Sequence, residues 1–200
     1  MVLPMRRARV AWLLTMIASA GCGKYLPPIP PEMVAPKAVE ALEASTTAEQ
    51  VSLKWTSPEQ DRRGKELQAI DGYTVQRKEI AARGDETNPN VEFVDLGFVK
   101  DSHVQVRERL RKEAREQGKI GRTVKAPAEL TQFAFADSKV QNGKTYLYQV
   151  VPQNQGGVDG VVNQVVRVVF KGQESNVVIL AAKDVEASPE PDANLPVGQQ

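Results

Sequence analysis

The chain has 200 residues, with 26 Lys and Arg against 25 Asp and Glu, one His and one Cys. That length suits one globular domain with attachments, and the near-cancelling charge supplies no global field for nucleic acid or an acidic substrate. A single His with a single Cys does not make a zinc set, so no metal and no cofactor is expected.

The first segment reads as targeting rather than structure. Arg6, Arg7 and Arg9 form a positive n-region and residues 10–18 a short apolar h-region. A bilayer span needs about 20 apolar residues, more than this segment has. Residues 1–21 are therefore expected to be a signal peptide. Small residues lead into the lone cysteine, and Ser19-Ala20-Gly21-Cys22 resembles the bacterial lipobox, with Ser19 where an aliphatic residue is usual. The resemblance implies that Cys22 is acylated, becomes the new N-terminus and anchors the chain to a membrane. Several acyl chains hold stably where one does not, at about 0.8 kcal/mol per buried methylene. Gly23 rather than Asp follows Cys22, which by analogy with lipoprotein sorting implies the outer membrane, facing the periplasm. The competing expectation is cleavage after the small-x-small run 18–20, releasing a soluble periplasmic or secreted protein with a free thiol. A lone cysteine in an oxidising compartment favours acylation.

Residues 22–36 are rich in proline, lack regular ladder donors and read as a polyproline stalk that acts as a spacer rather than as a ligand for a proline-binding domain. A globular domain is expected over residues 37–182. Residues 39–45 and 51–56 read as strands, the second carrying Trp55, and residues 58–66 as a polar loop. Residues 70–77, with Tyr73, form the next strand. A second polar loop over 81–90 contains Arg83-Gly84-Asp85. Residues 91–99 again show strand spacing, with Phe93 and Phe98.

The pattern then changes. Asp101 and Ser102 are placed to cap a helix over residues 103–117, with Gly118 ending it. Val106, Leu110 and Ala114 make a narrow apolar stripe. Between His103 and Lys119 six basic side chains face three acidic ones, and Glu108 precedes Lys112 by four, a favourable helical pair. Arg107, Arg109, Arg111, Lys112 and Arg115 are the candidate contact residues for an acidic partner or anionic lipid. The preferred expectation, over such a contact role, is a solvated helix whose stripe covers an open sheet edge. His103 reads as a surface residue. Residues 101–127 as a whole read as a charged helical insertion on a complete sandwich.

Residues 130–137 are the next strand. Tyr146, Tyr148 and Val150 then alternate with Leu147, Gln149 and Val151, so both faces of that strand carry apolar groups. Residues 141–144 and 154–160 are turns by composition, and residues 161–170 are a β-branched strand. The apolar run 177–180 either continues that strand past a bulge, the preferred reading, or pairs elsewhere. Residues 183–200 read as a disordered tail.

These landmarks resemble the fibronectin type III family. Val140 and Tyr146 look like its E–F corner, where a tyrosine hydroxyl bonds back to upstream backbone; residues 51–56 look like its B strand with the core tryptophan, and residues 70–77 like its C strand. The resemblance implies an all-β, immunoglobulin-like sandwich with Trp55, Tyr73, Tyr146 and Tyr148 in the core and a helical insertion between strands C′ and E. In that family Arg-Gly-Asp serves adhesion between strands F and G; here it follows strand C and reads as a soluble turn. No phosphate-cradling glycine motif, nucleophile elbow or paired carboxylate stands at a recognisable spacing. The expectation is accordingly a non-catalytic envelope lipoprotein whose sandwich meets a protein partner. The alternative is a carbohydrate- or peptidoglycan-associated module, which needs exposed aromatics such as Tyr25, Phe93 and Phe98.

Overall fold

The computed structural model describes residues 28–81, 87–88 and 91–186. The signal segment, Cys22, Tyr25, Arg83-Gly84-Asp85 and residues 187–200 lie outside the described residues.

Two antiparallel sheets pack as a sandwich. One has three strands, in the order β1 (Glu40–Thr46), β2 (Val51–Thr56), β5 (Gln132–Asp137). The other has five, in the order β4 (Val94–Lys100), β3 (Gly72–Ile80), β6 (Thr145–Gln153), β7 (Gln164–Val169), β8 (Asn176–Ala181). The A-B-E and C′-C-F-G sets of the fibronectin type III arrangement are thus in place, with β8 added beyond G. The run at 177–180 therefore does not continue β7. Gly172 adopts φ +63° in the turn at 171–175, the chain reverses, and β8 pairs antiparallel with β7 from Val169–Asn176 to Gln164–Ala181.

Period-two alternation decides which side chains meet between the sheets. Leu53 and Trp55 from one sheet and Tyr73, Val75, Tyr146, Tyr148, Val150, Val166 and Val168 from the other are buried in one core. Trp55 stands edge-on to Tyr73 at 5.4 Å between ring centroids, and Phe133 stacks on Trp55 at 6.2 Å. Such aromatic pairs add roughly 0.5–1.5 kcal/mol beyond area burial. The apolar character of the other face of β6 has its own cause. Leu147, Val165 and Ile80 form a second cluster, covered by Ala182 and Val185 of the short helix α2 (Ala182–Glu186). Residues 183–186, expected in a disordered tail, are helical and lid that cluster.

The N-terminal boundary also moves. Ala35 and Pro36, expected in the stalk, are buried. The Ala35 carbonyl accepts from Arg62 N–H at 3.0 Å and the Pro36 carbonyl from Val161 N–H at 3.1 Å. A β-carbon on Gly160 would stand 2.5 Å from that Pro36 carbonyl oxygen, so the close approach requires glycine.

The tyrosine corner forms where the sequence places it. The Tyr146 hydroxyl accepts a hydrogen bond from Gln141 N–H at 2.9 Å, so the backbone partner is a donor rather than a carbonyl. Beside it Asp137 accepts from Tyr148 Oη at 2.9 Å and from Arg77 at 2.7 Å. The Arg77 guanidinium lies 5.0 Å over the Tyr146 ring, a cation–π contact.

Candidate functional site

Between β4 and β5 the chain forms α1 (His103–Glu116), and its seating differs from the expected one. The side chains buried by α1 are His103, Val104, Arg107 and Ala114. Val106 and Leu110, taken from hydropathy as the packing stripe, are only half-buried. Val104 enters the main core, so the first turn of the helix belongs to the sandwich, and residues 101–127 are not simply an addition to a complete domain. The cap comes from Asp101 alone: its Oδ1 accepts from His103 N–H at 2.8 Å, while the Ser102 side chain makes no cap bond. At the other end Gly118, at φ +71°, takes the left-handed conformation that ends a helix.

Arg107 and His103 sit where the sequence reading did not put them. Arg107, expected on a contact surface, is 6% exposed. It donates through Nη2 to the Leu67 carbonyl at 2.5 Å and faces Glu66 and Glu108. An arginine is buried without great loss when its fork finds a carbonyl and carboxylates. Arg111 is also mostly buried, gripping Glu66 with both arms, Nη1 to Oε2 at 3.0 Å and Nη2 to Oε1 at 2.6 Å. The hydrogen bond from Arg111 holds the Glu66 carboxyl below the usual carboxylate range. Glu108 pairs with Arg107 and Arg111 rather than with Lys112. Arg109, Lys112 and Arg115 are exposed, as a contact surface requires.

His103, expected at the surface, is 4% exposed. Its Nδ1 lies 2.8 Å and 2.9 Å from the two Asp101 carboxylate oxygens. Asp101, itself 1% exposed, also accepts from Tyr73 Oη at 2.6 Å. Burial, then the adjacent Asp101 charge, push the Tyr73 phenol far above its ordinary value. A chain of contacts therefore runs from the aromatic core through Tyr73 and Asp101 to the imidazole.

The imidazole lines a cavity of about 480 Å³. The walls come from the end of β2 and the following loop, which give Ser57, Glu59 and Glu66; from α1, which gives Arg107 and Arg111; and from the return segment, which gives Arg122 and Lys125. Because Nδ1 faces a carboxylate it holds a proton, which leaves Nε2 as the polar atom the ring offers to the cavity. Nε2 has no hydrogen-bond partner among the described residues. The sequence held one signal for this site: Asp101-x-His103 directly before a helix, a spacing that lets a carboxylate cap the backbone and fix the ring at once.

The aromatic residues divide differently. Trp55, Tyr73, Tyr146 and Tyr148 are all buried, as expected for the core. Phe93 is half-buried in the second cluster, and Phe98 is 47% exposed. Among the described residues no group of three His, Cys, Asp or Glu side chains is placed to hold a metal ion, and no helix there is long and apolar enough to cross a membrane.

No family model and no curated protein matches the chain. Among solved structures it is similar to the third fibronectin III domain of human KIAA0343 protein, at 10% identity and a TM-score of 0.39 over 76% of this chain and 94% of that one. An Fn3-like protein from Clostridium thermocellum matches at 15% identity and TM-score 0.33, over 64% of this chain and 85% of that one. The twitchin kinase region from C. elegans matches at 13% identity and TM-score 0.42 over 70% of this chain, which spans 17% of that longer protein.

Proposed function

We propose that this chain is a non-catalytic lipoprotein of the bacterial cell envelope, anchored by acyl groups on Cys22, whose sandwich presents the cleft beside α1 to a protein partner. The observation that carries the binding part is the seating of α1. The helix is fixed by buried Val104, Arg107 and Ala114; its Arg107 and Arg111 line a concave cavity, and its Arg109, Lys112 and Arg115 are exposed to solvent. Binding sites favour rigid elements that hold exposed polar groups at the rim of a recess. The anchor rests on the sequence: a basic n-region, a short apolar run and small residues before the single cysteine. The outer membrane, facing the periplasm, is the proposed location, from Gly23 following Cys22.

Metabolic labelling with a fatty-acid analogue tests the anchor. The natural chain takes up label and fractionates with outer membrane, whereas Cys22→Ser does neither; equal labelling of the two, or none in either, refutes acylation. A photo-crosslinker placed at Lys112 tests the cleft. Capture of an envelope protein there, and not from the opposite end of the sandwich at Gly143, supports the reading; identical capture from both positions refutes it.

A further inference from the structure

We infer that β8 is a self-pairing edge: two copies of this chain join antiparallel along it about a two-fold axis at Val178, so that their five-stranded sheets run on into one. The inference depends neither on the cleft beside α1 nor on the anchor.

Three observations converge on the strand. The first is its backbone. β7 fills one side of β8 from Asn176 to Ala181. Ala182 N–H donates to the Asn163 carbonyl in the same direction at 3.0 Å, and successive residues of a strand turn their N–H and C=O to opposite sides. Asn176, Val178 and Leu180 therefore face β7, while Val177 and Ile179 face away. Among the described residues no further strand meets that side, and neither Val177 nor Ile179 enters a backbone bond outside the ladder. Such a row of unmet groups is a template for another strand. The second is its surface: Val178 is 40% and Ile179 45% exposed. The third is a contrast between edges. The other edge strands carry ionisable side chains, Glu40 and Glu43 on β1, Asp95 and Lys100 on β4 and Asp137 on β5, and the ladders of β1 and β4 are broken by register shifts. Charges and bulges are the devices that keep edges apart. β8 has neither.

Charge at the two ends of β8 identifies the occupant as a second copy. The turn before the strand carries exposed Lys171 and Glu174, and α2 after it carries exposed Lys183 and Asp184. A two-fold axis normal to the sheet brings the turn of one copy beside α2 of the other. It also keeps inward side chains beside inward ones, so the axis falls on a residue. With the axis at Val177, the register sets Lys171 against Lys183 of the second copy; with the axis at Ile179, it sets Glu174 against Asp184. With the axis at Val178 neither pair of like charges meets. Glu174 then lies one position from Lys183 of the second copy, and Lys171 one position from Asp184. The strand thus complements itself, and does so best in that register.

The same register satisfies what the edge leaves open. Val177 of each copy stands opposite Ile179 of the other, and the two exchange both N–H···O=C bonds. Ile179 then packs against Val177 on the inner face, and Val178 packs against its own symmetry mate on the outer face, so both exposed apolar side chains are covered. A strand of six residues buries less than the roughly 1,200–2,000 Å² of a stable interface. Pairing is therefore weak in dilute solution and follows concentration.

The test uses the full chain carrying Cys22→Ser, which removes its lone thiol and with it any disulfide between copies. Sedimentation from about 10 μM to about 1 mM is expected to show a mass rising from that of one chain, 22.0 kDa, toward that of two. Val178→Lys sets two lysines against each other on the axis and holds the chain monomeric throughout. Hydrogen exchange reads the register: the amides of Val177 and Ile179 exchange fast when dilute and become protected as the mass rises, while those of Val178 and Leu180 are protected at every concentration. Glu174→Lys, a change of an exposed side chain, weakens pairing about threefold to tenfold, and adding Lys183→Glu restores it. The mass of one chain at every concentration overturns the inference, as does association that survives Val178→Lys or a double variant no better than Glu174→Lys. Val177 and Ile179 amides protected even when dilute also overturn it, since another segment then covers the edge. None of these outcomes bears on acylation of Cys22, which is read in cells.

Discussion

Two buried carboxylates hold the ends of this sandwich in the same way and differ in what stands behind them. Asp137, at the corner between β5 and β6, accepts from a tyrosine hydroxyl, Tyr148, and from a cationic side chain, Arg77. Asp101, between β4 and α1, accepts from a tyrosine hydroxyl, Tyr73, and faces an imidazole, His103. At Asp137 the arrangement is closed, because Arg77 also donates to the Lys139 carbonyl at 2.8 Å and lies over Tyr146. At Asp101 the imidazole keeps one nitrogen turned toward a cavity. The same donor–acceptor chemistry therefore locks a corner in one place and holds a ring at a cavity wall in the other, and only the space beyond the second partner distinguishes them.

The largest separation between the two sites is expected from removing the carboxylates. Asp101→Ala leaves Tyr73 Oη, His103 N–H and the His103 ring buried together without an acceptor. Breaking a buried pair by removing one partner costs about 3–5 kcal/mol. Asp137→Ala orphans Tyr148 Oη in the same way, but the Arg77 side chain is 21% exposed and can turn to water, so the expected loss is smaller, about 2–3 kcal/mol. Urea denaturation of both variants measures the difference. If Asp137→Ala proves the more costly, the corner, rather than the junction of β4 with α1, is the site on which the sandwich depends.

Why one of these sites was legible in the sequence and the other was not follows from their residues. Tyr146 and Tyr148 share one parity of an alternating strand, and Trp55 and Tyr73 lie on strands of their own, so a period of two together with the resemblance to the fibronectin type III landmarks placed all four in the core. His103 and Arg107 lie on a helix read by its apolar stripe. Hydropathy assigns the buried face to Val106, Leu110 and Ala114, but the face that packs carries Val104, Arg107 and Ala114. An arginine becomes a packing residue only when a carbonyl such as that of Leu67 and a carboxylate such as that of Glu66 come to meet it. Those partners lie about 40 residues away along the chain, where periodicity has no reach. The same limit explains β8: the apolar run was visible, but whether it extends β7 or reverses onto it depends on the turn at Gly172.

What the two sites share is tested by alkaline titration. Burial, followed by the neighbouring carboxylate, raises the phenol of Tyr73 and of Tyr148 above the ordinary tyrosine value. A phenol whose folded value is raised stabilises the fold fully below the unfolded value of about 10, and that contribution is lost as pH rises above it, because the unfolded chain releases a proton that the folded one retains. Spectrophotometric titration of the chain's tyrosines is expected to show Tyr73 and Tyr148 among those that do not ionise until the fold opens, in one cooperative step with the loss of circular dichroism. Tyr73→Phe or Tyr148→Phe each removes one from the late group. If either tyrosine ionises before unfolding, its carboxylate site is open to water.

The smallest effects are expected at the tyrosine corner and on the outer face of α1, and their ratio decides how the helix is used. The Tyr146 hydroxyl satisfies a single backbone donor, Gln141 N–H, in an exposed loop that water also reaches. Tyr146→Phe should therefore cost about 1 kcal/mol, the scale of one hydrogen bond whose loss water partly repairs. Lys112 and Arg115 are exposed on α1 and make no ion pair among the described residues, so Lys112→Ala and Arg115→Ala should each stay within about 0.5 kcal/mol of the natural chain. If the two cations prove neutral to folding while Lys112→Ala reduces capture of the envelope partner, the outer face of α1 serves recognition. If either substitution destabilises the fold by as much as Tyr146→Phe does, that face carries packing instead, and the contact surface must be sought on another side of the cavity.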